Sequence, residues 1–324
     1  MWARIALAAA LGFGCDGGGS EPDASAPDAS AIVDGASMGD AGAGGPCHAF
    51  EGPTELGRID DPSLTELSGL AASRRHPGLF YAHNDSGDVA RVYVLDASAS
   101  VVGRIALTGA AHVDYEDIAV GPGPDGEPWV HVGDVGDNAA RDGRGTPRDA
   151  IAVHRFPEPD DPPRGDLEVG VDTLTLRYPE TAHDCEALAV EADGSLLLLT
   201  KEDVGPSVLF RASPSSPDLL EALTTLNVDG PDVPGSRNVT AMDLSPGGAL
   251  LVRSYNRVHL FPREEGERWA DALGRPPVPV PARMERQGEA IAWRADGRAY
   301  VTASEGEGAP VYLYEATTPG CVAP

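Results

Sequence analysis

One column of oxygen-bearing residues recurs along the chain. The segments TELSGLAAS, VDYEDIAVG, HDCEALAVE, RNVTAMDLS and RQGEAIAWR share a small or acidic residue followed by apolar and alanine positions. Aligning them places together Ser68, Glu116, Glu186, Thr240 and Glu289. Three carboxylates and two hydroxyls cannot share a narrow dry space without compensation. Calcium accepts carboxylate, hydroxyl, carbonyl and water oxygens in a flexible geometry, whereas magnesium demands a stricter octahedron. The column therefore predicts a calcium site, with a wide water-filled channel that holds no ion as the alternative.

The spacing of this column indicates which elements position it. Its steps along the chain are 48, 70, 54 and 49 residues, the range of β-propeller blades, in which each repeat is a four-stranded sheet whose first strand lines a central channel. Each copy is followed by a Gly- or Asp-marked turn and two short β-rich runs, such as GLFYAHND and RVYVLD. The sequence predicts an all-β, five-bladed β-propeller with four-stranded blades.

The two ends of the predicted ring should meet in its last blade. The fifth repeat lacks an outer strand of its own, and TELGRID at 54–60 is available to supply it. We place the propeller domain at 47–321 and expect a disulfide between Cys47 and Cys321, because ring closure brings both residues together in an oxidising compartment. The alternative is two unpaired thiols. Cys185 is flanked by apolar positions and is expected to be buried.

The N-terminal segment has the pattern of an export signal. Residues 1–14 contain an early arginine and a short apolar run, and they end directly before Cys15. We interpret them as a lipoprotein signal peptide with Cys15 as the lipidated residue; an ordinary secretory signal is the alternative. Residues 15–46 are rich in Gly, Ala, Ser, Asp and Pro, which predicts a disordered tether. The expected location is the bacterial cell envelope, with a lipid anchor at the outer membrane or cell surface as the only membrane contact.

The net charge of the chain limits the classes of binding partner that are expected. The chain carries 51 acidic and 24 basic residues, for a net charge of −27. Nucleic acid and anionic lipid surfaces would be repelled, so no nucleic-acid partner is expected and cations are favoured.

Propeller topology gathers many of the polar residues on one face. Loops that enter the innermost strands and loops that leave the second strands open around the same channel mouth. The residues concerned are Glu66, His112, Asp114, Glu116, His183, Asp184, Glu186, Asn238, Gln287 and Glu289 on entering loops, and Asn84, Asp85, Asp88, Asp134, Asp137, Asn138, Lys201, Glu202, Arg253, Tyr255, Glu305 and Glu307 on leaving loops. Asp114, His183, Lys201 and Arg253 are the candidate catalytic residues of this set.

The column resembles one found in the calcium-activated nucleotidase (apyrase) family. That resemblance implies a five-bladed propeller whose central calcium is held at the innermost positions in the pattern Ser, Glu, Glu, Ser, Glu. TELSGLAAS and the following YAHNDSGDVARVYVLD look like that family's first blade, and Lys201 and Arg253 look like basic positions that meet phosphate. TGAAHVDYED stands where the family has an Asp-Gly-Asp-Gly segment. A looser likeness to phytase-like propellers also implies calcium.

Two functions follow from these residues. In the first, the ion is structural and the face is a binding or scaffold module at the cell surface, whose candidate partners are a phosphorylated small molecule or a surface protein. In the alternative, the protein is a calcium-dependent hydrolase of phosphate esters or anhydrides. Glu116, Glu186 or Asp114 would then position water, and Lys201 and Arg253 would stabilise developing charge. The missing acidic segment favours the first.

Overall fold

The computed structural model describes residues 46–230 and 235–323. In chain order its strands are β1 (Phe50–Arg58), β2 (Leu67–Ala72), β3 (Phe80–Asn84), β4 (Arg91–Leu95), β5 (Val101–Thr108), β6 (Tyr115–Pro122), β7 (Pro128–Asp134), β8 (Ile151–Pro157), β9 (Gly165–Gly170), β10 (Asp172–Leu176), β11 (Cys185–Val190), β12 (Leu196–Thr200), β13 (Ser207–Ser213), β14 (Ser216–Leu226), β15 (Val239–Leu244), β16 (Leu250–Ser254), β17 (Arg257–Phe261), β18 (Val278–Pro279), β19 (Gly288–Trp293), β20 (Ala299–Ser304) and β21 (Pro310–Ala316). The signal at 1–14, Cys15 and the tether up to residue 45 lie outside the described residues and stay predictions.

These strands form the predicted five-bladed propeller. From the channel outward the blades are β2-β3-β4-β5, β6-β7-β8-β10, β11-β12-β13-β14, β15-β16-β17-β18 and β19-β20-β21-β1. Each innermost strand contacts the next one around the ring, and β19 contacts β2. A separate hydrophobic cluster fills each of the five spaces between adjacent blades. The innermost strands are rich in alanine, whose small side chains let neighbouring blades approach closely around the channel.

The N-terminal strand closes the ring, as predicted. β1 pairs with β21 in antiparallel register from Phe50 opposite Ala316 to Arg58 opposite Pro310. The strand begins earlier than the predicted 54–60 segment because the Phe50 ring packs against Trp293 and Tyr300, with ring centroids 5.8 Å and 5.2 Å apart. Burial of this aromatic side chain favours extending the strand.

The predicted disulfide lies beside the closing strand. Cys47 and Cys321 are bonded, with Cα atoms 5.2 Å apart and a sequence separation of 274 residues. The Cys47 backbone N–H donates to Val322 O at 3.0 Å, so the two termini also pair through their backbones. Cys185 is a buried free thiol, as expected.

Several elements were not predicted. β9, which belongs to a loop of blade 2, adds to blade 1 in parallel to β5 and so links the two blades at their outer edges. The outer strand of blade 4 is only the two-residue β18, and helix α2 (Trp269–Leu273) precedes it. A second short helix, α1 (Asn138–Asp142), follows β7. Among the described residues, no helix has both the length and the apolar composition needed to cross a membrane.

Two buried carboxylates brace the inner strands. Asp117 Oδ2 accepts hydrogen bonds from the backbone N–H groups of Leu188 in blade 3, at 2.8 Å, and Met242 in blade 4, at 3.2 Å. Asp243 Oδ2 accepts from Trp293 N in blade 5 at 2.7 Å. Burial raises the pKa of Asp117 well above its usual range despite these hydrogen bonds. The carboxylates tie blades 2 to 5 together.

Candidate metal centre

The fold brings the whole column to the innermost strands. Its members belong to β2, β6, β11, β15 and β19, and every one of them is buried. These residues are Ser68, Glu116, Glu186, Thr240 and Glu289. The side-chain direction follows from the common register position within each strand.

The two hydroxyls of the column bond to neighbouring blades. Ser68 Oγ donates to the backbone oxygen of Glu116 at 2.8 Å, and Thr240 Oγ1 donates to Gly288 O at 2.8 Å. Each bond joins one innermost strand to the next blade. The hydroxyl oxygens still carry lone pairs, but their protons are committed to this inter-blade contact.

The closest grouping of carboxylates lies on one side of the mouth, between blades 1, 2 and 3. One group consists of Asp85, Asp114 and Glu116, and a second of Glu116, Asp184 and Glu186; within each group the ligand oxygens lie within 4.8 Å of one another. Asp85 follows β3, whereas Asp114 and Asp184 precede β6 and β11. Glu116 belongs to both groups. Such an all-oxygen donor set suits a hard divalent cation.

The backbone around this cluster leaves room for the carboxylates. A Cβ atom at Gly136 would press against Glu116 Oε1 and Asp114 Oδ2. The loop after β7 also fixes Asp184, because the backbone N–H of Asp137 donates to Asp184 Oδ1 at 2.7 Å. Asp184 Oδ2 lies 3.2 Å from Arg141 Nε in α1. Residues of blade 2 therefore shape a cradle that only glycine at position 136 permits.

Basic side chains compensate part of this charge. Lys201 Nζ lies 2.9 Å from Glu186 Oε1 and 5.0 Å from the centre of the Tyr255 ring. Arg141 pairs with Asp184, and the remaining carboxylates of the two groups have no ion pair among the described residues. Glu289 is also buried, and its Oε2 has no hydrogen-bond partner in the described chain. An excess of buried negative charge therefore remains.

The pKa values of these buried carboxyls are raised, as expected for an excess of negative charge. Burial, followed by the charges of Asp114 and Glu186, raises the pKa of Asp85 to about 8. Burial also raises the pKa of Glu186 to about 7, although Lys201 opposes the shift, and that of Glu289 to about 8. For Glu116, burial and the charge of Glu186 raise the pKa well above its usual range. Without a cation, these groups hold protons that ordinary carboxyls would lose.

A neighbouring aspartate shows the effect of full compensation. Asp134 Oδ1 lies 2.8 Å from Arg148 Nη1. Burial acts to raise the pKa of Asp134, but the nearby His154 imidazole and the Arg148 charge outweigh it and lower the pKa. Asp184 and Glu186 also have basic partners, yet their pKa values are raised, because the charges of neighbouring carboxylates add to the effect of burial.

The four candidate catalytic residues have different contacts in the structure. Asp114 belongs to the acidic cluster, and Lys201 faces Glu186. The buried Arg253 guanidinium donates to the Glu285 carboxylate and to Ala290 O. His183 packs against Tyr178 and Phe210, with Nδ1 3.3 Å from Glu202 Oε1. Lys201 and Arg253 are thus both paired with carboxylates.

The residues at the channel mouth were predictable from the sequence, but which of its carboxylates lie together was not. Asp85 and Asp184 belong to the predicted face, yet repeat alignment gave them no special weight over the other acidic residues there. Gly136 and Arg141 carry no repeat signal at all, since they lie in a loop peculiar to blade 2. The run GDVGDN around Gly136 was the available signal, because a glycine between acidic residues permits close approach of the backbone.

Similarity to known proteins is found only at the level of solved structures. No family model and no curated protein sequence matches the chain. Among solved structures, it is similar to the PQQ-bound aldose sugar dehydrogenase of Streptomyces coelicolor, with 13% identity, a TM-score of 0.46 and coverage of 83% of this chain and 99% of that one. It is also similar to a gluconolactonase of Xanthomonas campestris, with 15% identity, a TM-score of 0.42 and coverage of 85% and 98%.

Proposed function

We propose that the propeller binds calcium at the acidic mouth and acts as an exported, lipid-anchored binding or scaffold module at the cell surface. The observation that carries the proposal is the pair of three-carboxylate groups that share Glu116. Their oxygens come from three blades, so one ion would cross-link separate strands and contribute its binding free energy to the fold.

Calcium suits this arrangement better than magnesium. The donors belong to separate strands and loops, and each of the five carboxylates offers one oxygen from a side chain of aspartate or glutamate length. Magnesium keeps several waters and demands a near-ideal octahedron, whereas calcium accepts larger and less regular oxygen sets. Among column residues, Glu116 and Glu186 would be direct ligands. Ser68, Thr240 and Glu289 remain proposed ligands at the rim of the same channel.

Binding is favoured over hydrolysis by the state of the basic residues. Lys201 and Arg253 are both ion-paired, with Glu186 and Glu285 respectively. A phosphoryl group would have to displace these carboxylates before either side chain stabilised its charge. A ligand that coordinates the ion directly needs no such rearrangement. The proposed partner is a phosphorylated small molecule or a surface protein.

Calorimetric titration of the full chain with calcium tests the metal proposal. We expect saturable binding that is lost or weakened at least tenfold in Glu116→Gln, because both carboxylate groups lose a shared anionic ligand. Asp193→Asn, an exposed aspartate at the opposite end of the channel, is the matched control and should bind like wild type. Equal calcium affinity in Glu116→Gln and wild type would refute the site.

Anchoring needs its own experiment. In cells, Cys15→Ser should move the protein from the membrane fraction to the soluble fraction, because a thioether-linked lipid can no longer be attached. Retention of the variant in the membrane fraction would contradict the lipid anchor while leaving the calcium proposal untouched.

The hydrolase stands as the second candidate because one cation, Lys201, lies directly beside the acidic groups. Phosphate release from nucleoside triphosphates and phosphomonoesters, with calcium and with chelator, distinguishes the two functions. Calcium-dependent release that disappears in Lys201→Ala would establish the hydrolase. Calcium binding without any release would support the binding module.

A further inference from the structure

A second candidate site lies at the other end of the channel. A cavity of about 850 Å³ opens among the turns that join first and second strands in blades 2, 3 and 4. Val120, Val190 and Leu244 line it where the innermost strands end, and Pro122 and Pro246 continue the apolar surface. Its volume falls in the range of small-molecule sites, which are largely apolar with a few fixed polar groups.

Arg74 reaches this cavity from blade 1. Its guanidinium crosses to blade 4, where Nη2 donates to Leu244 O at 3.3 Å. No carboxylate of residues 46–230 and 235–323 lies within ion-pair distance of that guanidinium. The neighbouring Arg75, by contrast, pairs with Glu127 at 3.0 Å and Asp160 at 3.4 Å. The charge of the buried Asp243 acts on Arg74 only from beyond that distance. Arg74 thus brings a positive charge without a direct ion pair, together with further N–H donors, to an apolar wall.

Two further arginines line the same cavity, along with several acidic residues. Glu191 Oε1 lies 3.1 Å from Arg263 Nη1, and Glu191 Oε2 lies 3.1 Å from Arg211 Nε. Glu191 Oε1 also accepts from Trp269 Nε1 at 3.1 Å, and the Arg263 guanidinium stacks over the Trp269 ring at 4.1 Å. One largely buried glutamate therefore fixes two guanidinium groups, which lowers the entropy cost of using their remaining donors.

We infer that this cavity binds a small organic anion with an apolar body, such as an aromatic carboxylate. The anionic group would pair with Arg74, and the apolar body would lie along Val120, Val190 and Leu244. This assignment is independent of the calcium site, because it uses none of the carboxylates of the acidic mouth.

The test uses naphthoate as the probe and naphthylmethanol as its neutral counterpart, titrated into the calcium-loaded full chain by calorimetry. Naphthoate should bind saturably, at a single site and at least tenfold more tightly than the alcohol, because a charge-assisted hydrogen bond to arginine adds to apolar burial. Arg74→Gln should weaken naphthoate at least tenfold and leave the alcohol nearly unchanged. Arg75→Gln is the matched control and should behave like wild type.

A second variant locates the binding. Ala192 is exposed at the cavity wall, so Ala192→Trp should fill the entrance without disturbing the core and should weaken both compounds. Equal naphthoate affinity in wild type and Arg74→Gln would overturn the role of Arg74. Absence of saturable naphthoate binding to the wild type, or full binding by Ala192→Trp, would overturn the site.

Discussion

The disulfide that fastens the ring gives the sharpest stability prediction. Cys47 and Cys321 are 274 residues apart, so the bond constrains almost the whole unfolded domain. The loop-entropy relation for a loop of that length gives about 5.5 kcal/mol of stabilisation. Replacing both cysteines by serine should therefore destabilise the protein by up to about that amount, with residual unfolded-state structure reducing it.

This loss should leave the native fold intact. The β1–β21 ladder and the packing of Phe50 on Trp293 and Tyr300 hold the closing blade without the bond. Unfolding entropy of globular proteins is about 2.1 cal/mol/K per residue, so a domain of this size should melt roughly 10 °C lower in the double variant. The far-UV circular dichroism of the variant should match that of wild type at low temperature.

Thermal melts with calcium at saturation measure this shift, with and without reductant. Reduced wild type should melt with the double variant, and reductant should not move the double variant, whose single described thiol, Cys185, is buried and unpaired. A melting temperature within about 2 °C of oxidised wild type would refute the loop-entropy argument, which attributes roughly 10 °C to the bond. So would a further fall of the double variant in reductant.

Three further perturbations probe the channel. Gly136→Ala should abolish calcium binding by calorimetry, since its Cβ would press on two carboxylates; wild-type affinity would contradict the cradle. Asp117→Ala should cost about 2 to 6 kcal/mol in urea unfolding, because it leaves two buried N–H groups of blades 3 and 4 without acceptors; a loss below about 1 kcal/mol would contradict the bracing role. In chelator, the stability that the raised carboxyls contribute should be fully present below the ordinary carboxyl pKa and should be lost as the pH rises to about 8, the raised pKa of Asp85 and Glu289, because the folded state binds the extra protons. Saturating calcium should weaken that fall, and a chelated protein that gains stability over this range would refute the protonation argument.

The fold was largely predictable because propeller blades repeat. The recurring column, its spacing and the period-two runs are local features, and they predicted five blades, the closing strand and the disulfide. The bounds of β1 were less predictable, since Phe50 joins the strand through aromatic contacts with residues far along the chain. β9 could not be predicted either, because its pairing with β5 belongs to neither repeat alone.

The sequence predicted which face of the propeller carries the candidate metal site. It did not predict which carboxylates of that face lie close enough together to share an ion. Repeat alignment gives every blade the same weight, so it suggests a symmetric ring around the axis. The structure departs from that symmetry because blade 2 adds α1, whose Arg141 pairs with Asp184, and Gly136, which leaves room for Asp114 and Glu116. In blade 3, Lys201 lies next to Glu186. Such asymmetry arises from loops, which carry no repeat signal.

The two ends of the channel use the same residue types in opposite ways. At the cavity end, Glu191 is matched by Arg211 and Arg263, and Arg74 has no direct ion pair. At the acidic end, carboxylates outnumber the basic side chains that pair with them, and their pKa values are raised as a result. Burying unpaired charge costs several kcal/mol per ion, so the acidic end is stable only if protons or a cation compensate it. The proposed cation at one mouth and the proposed organic anion at the other use groups that do not overlap, so removing either ligand should leave the other site able to bind.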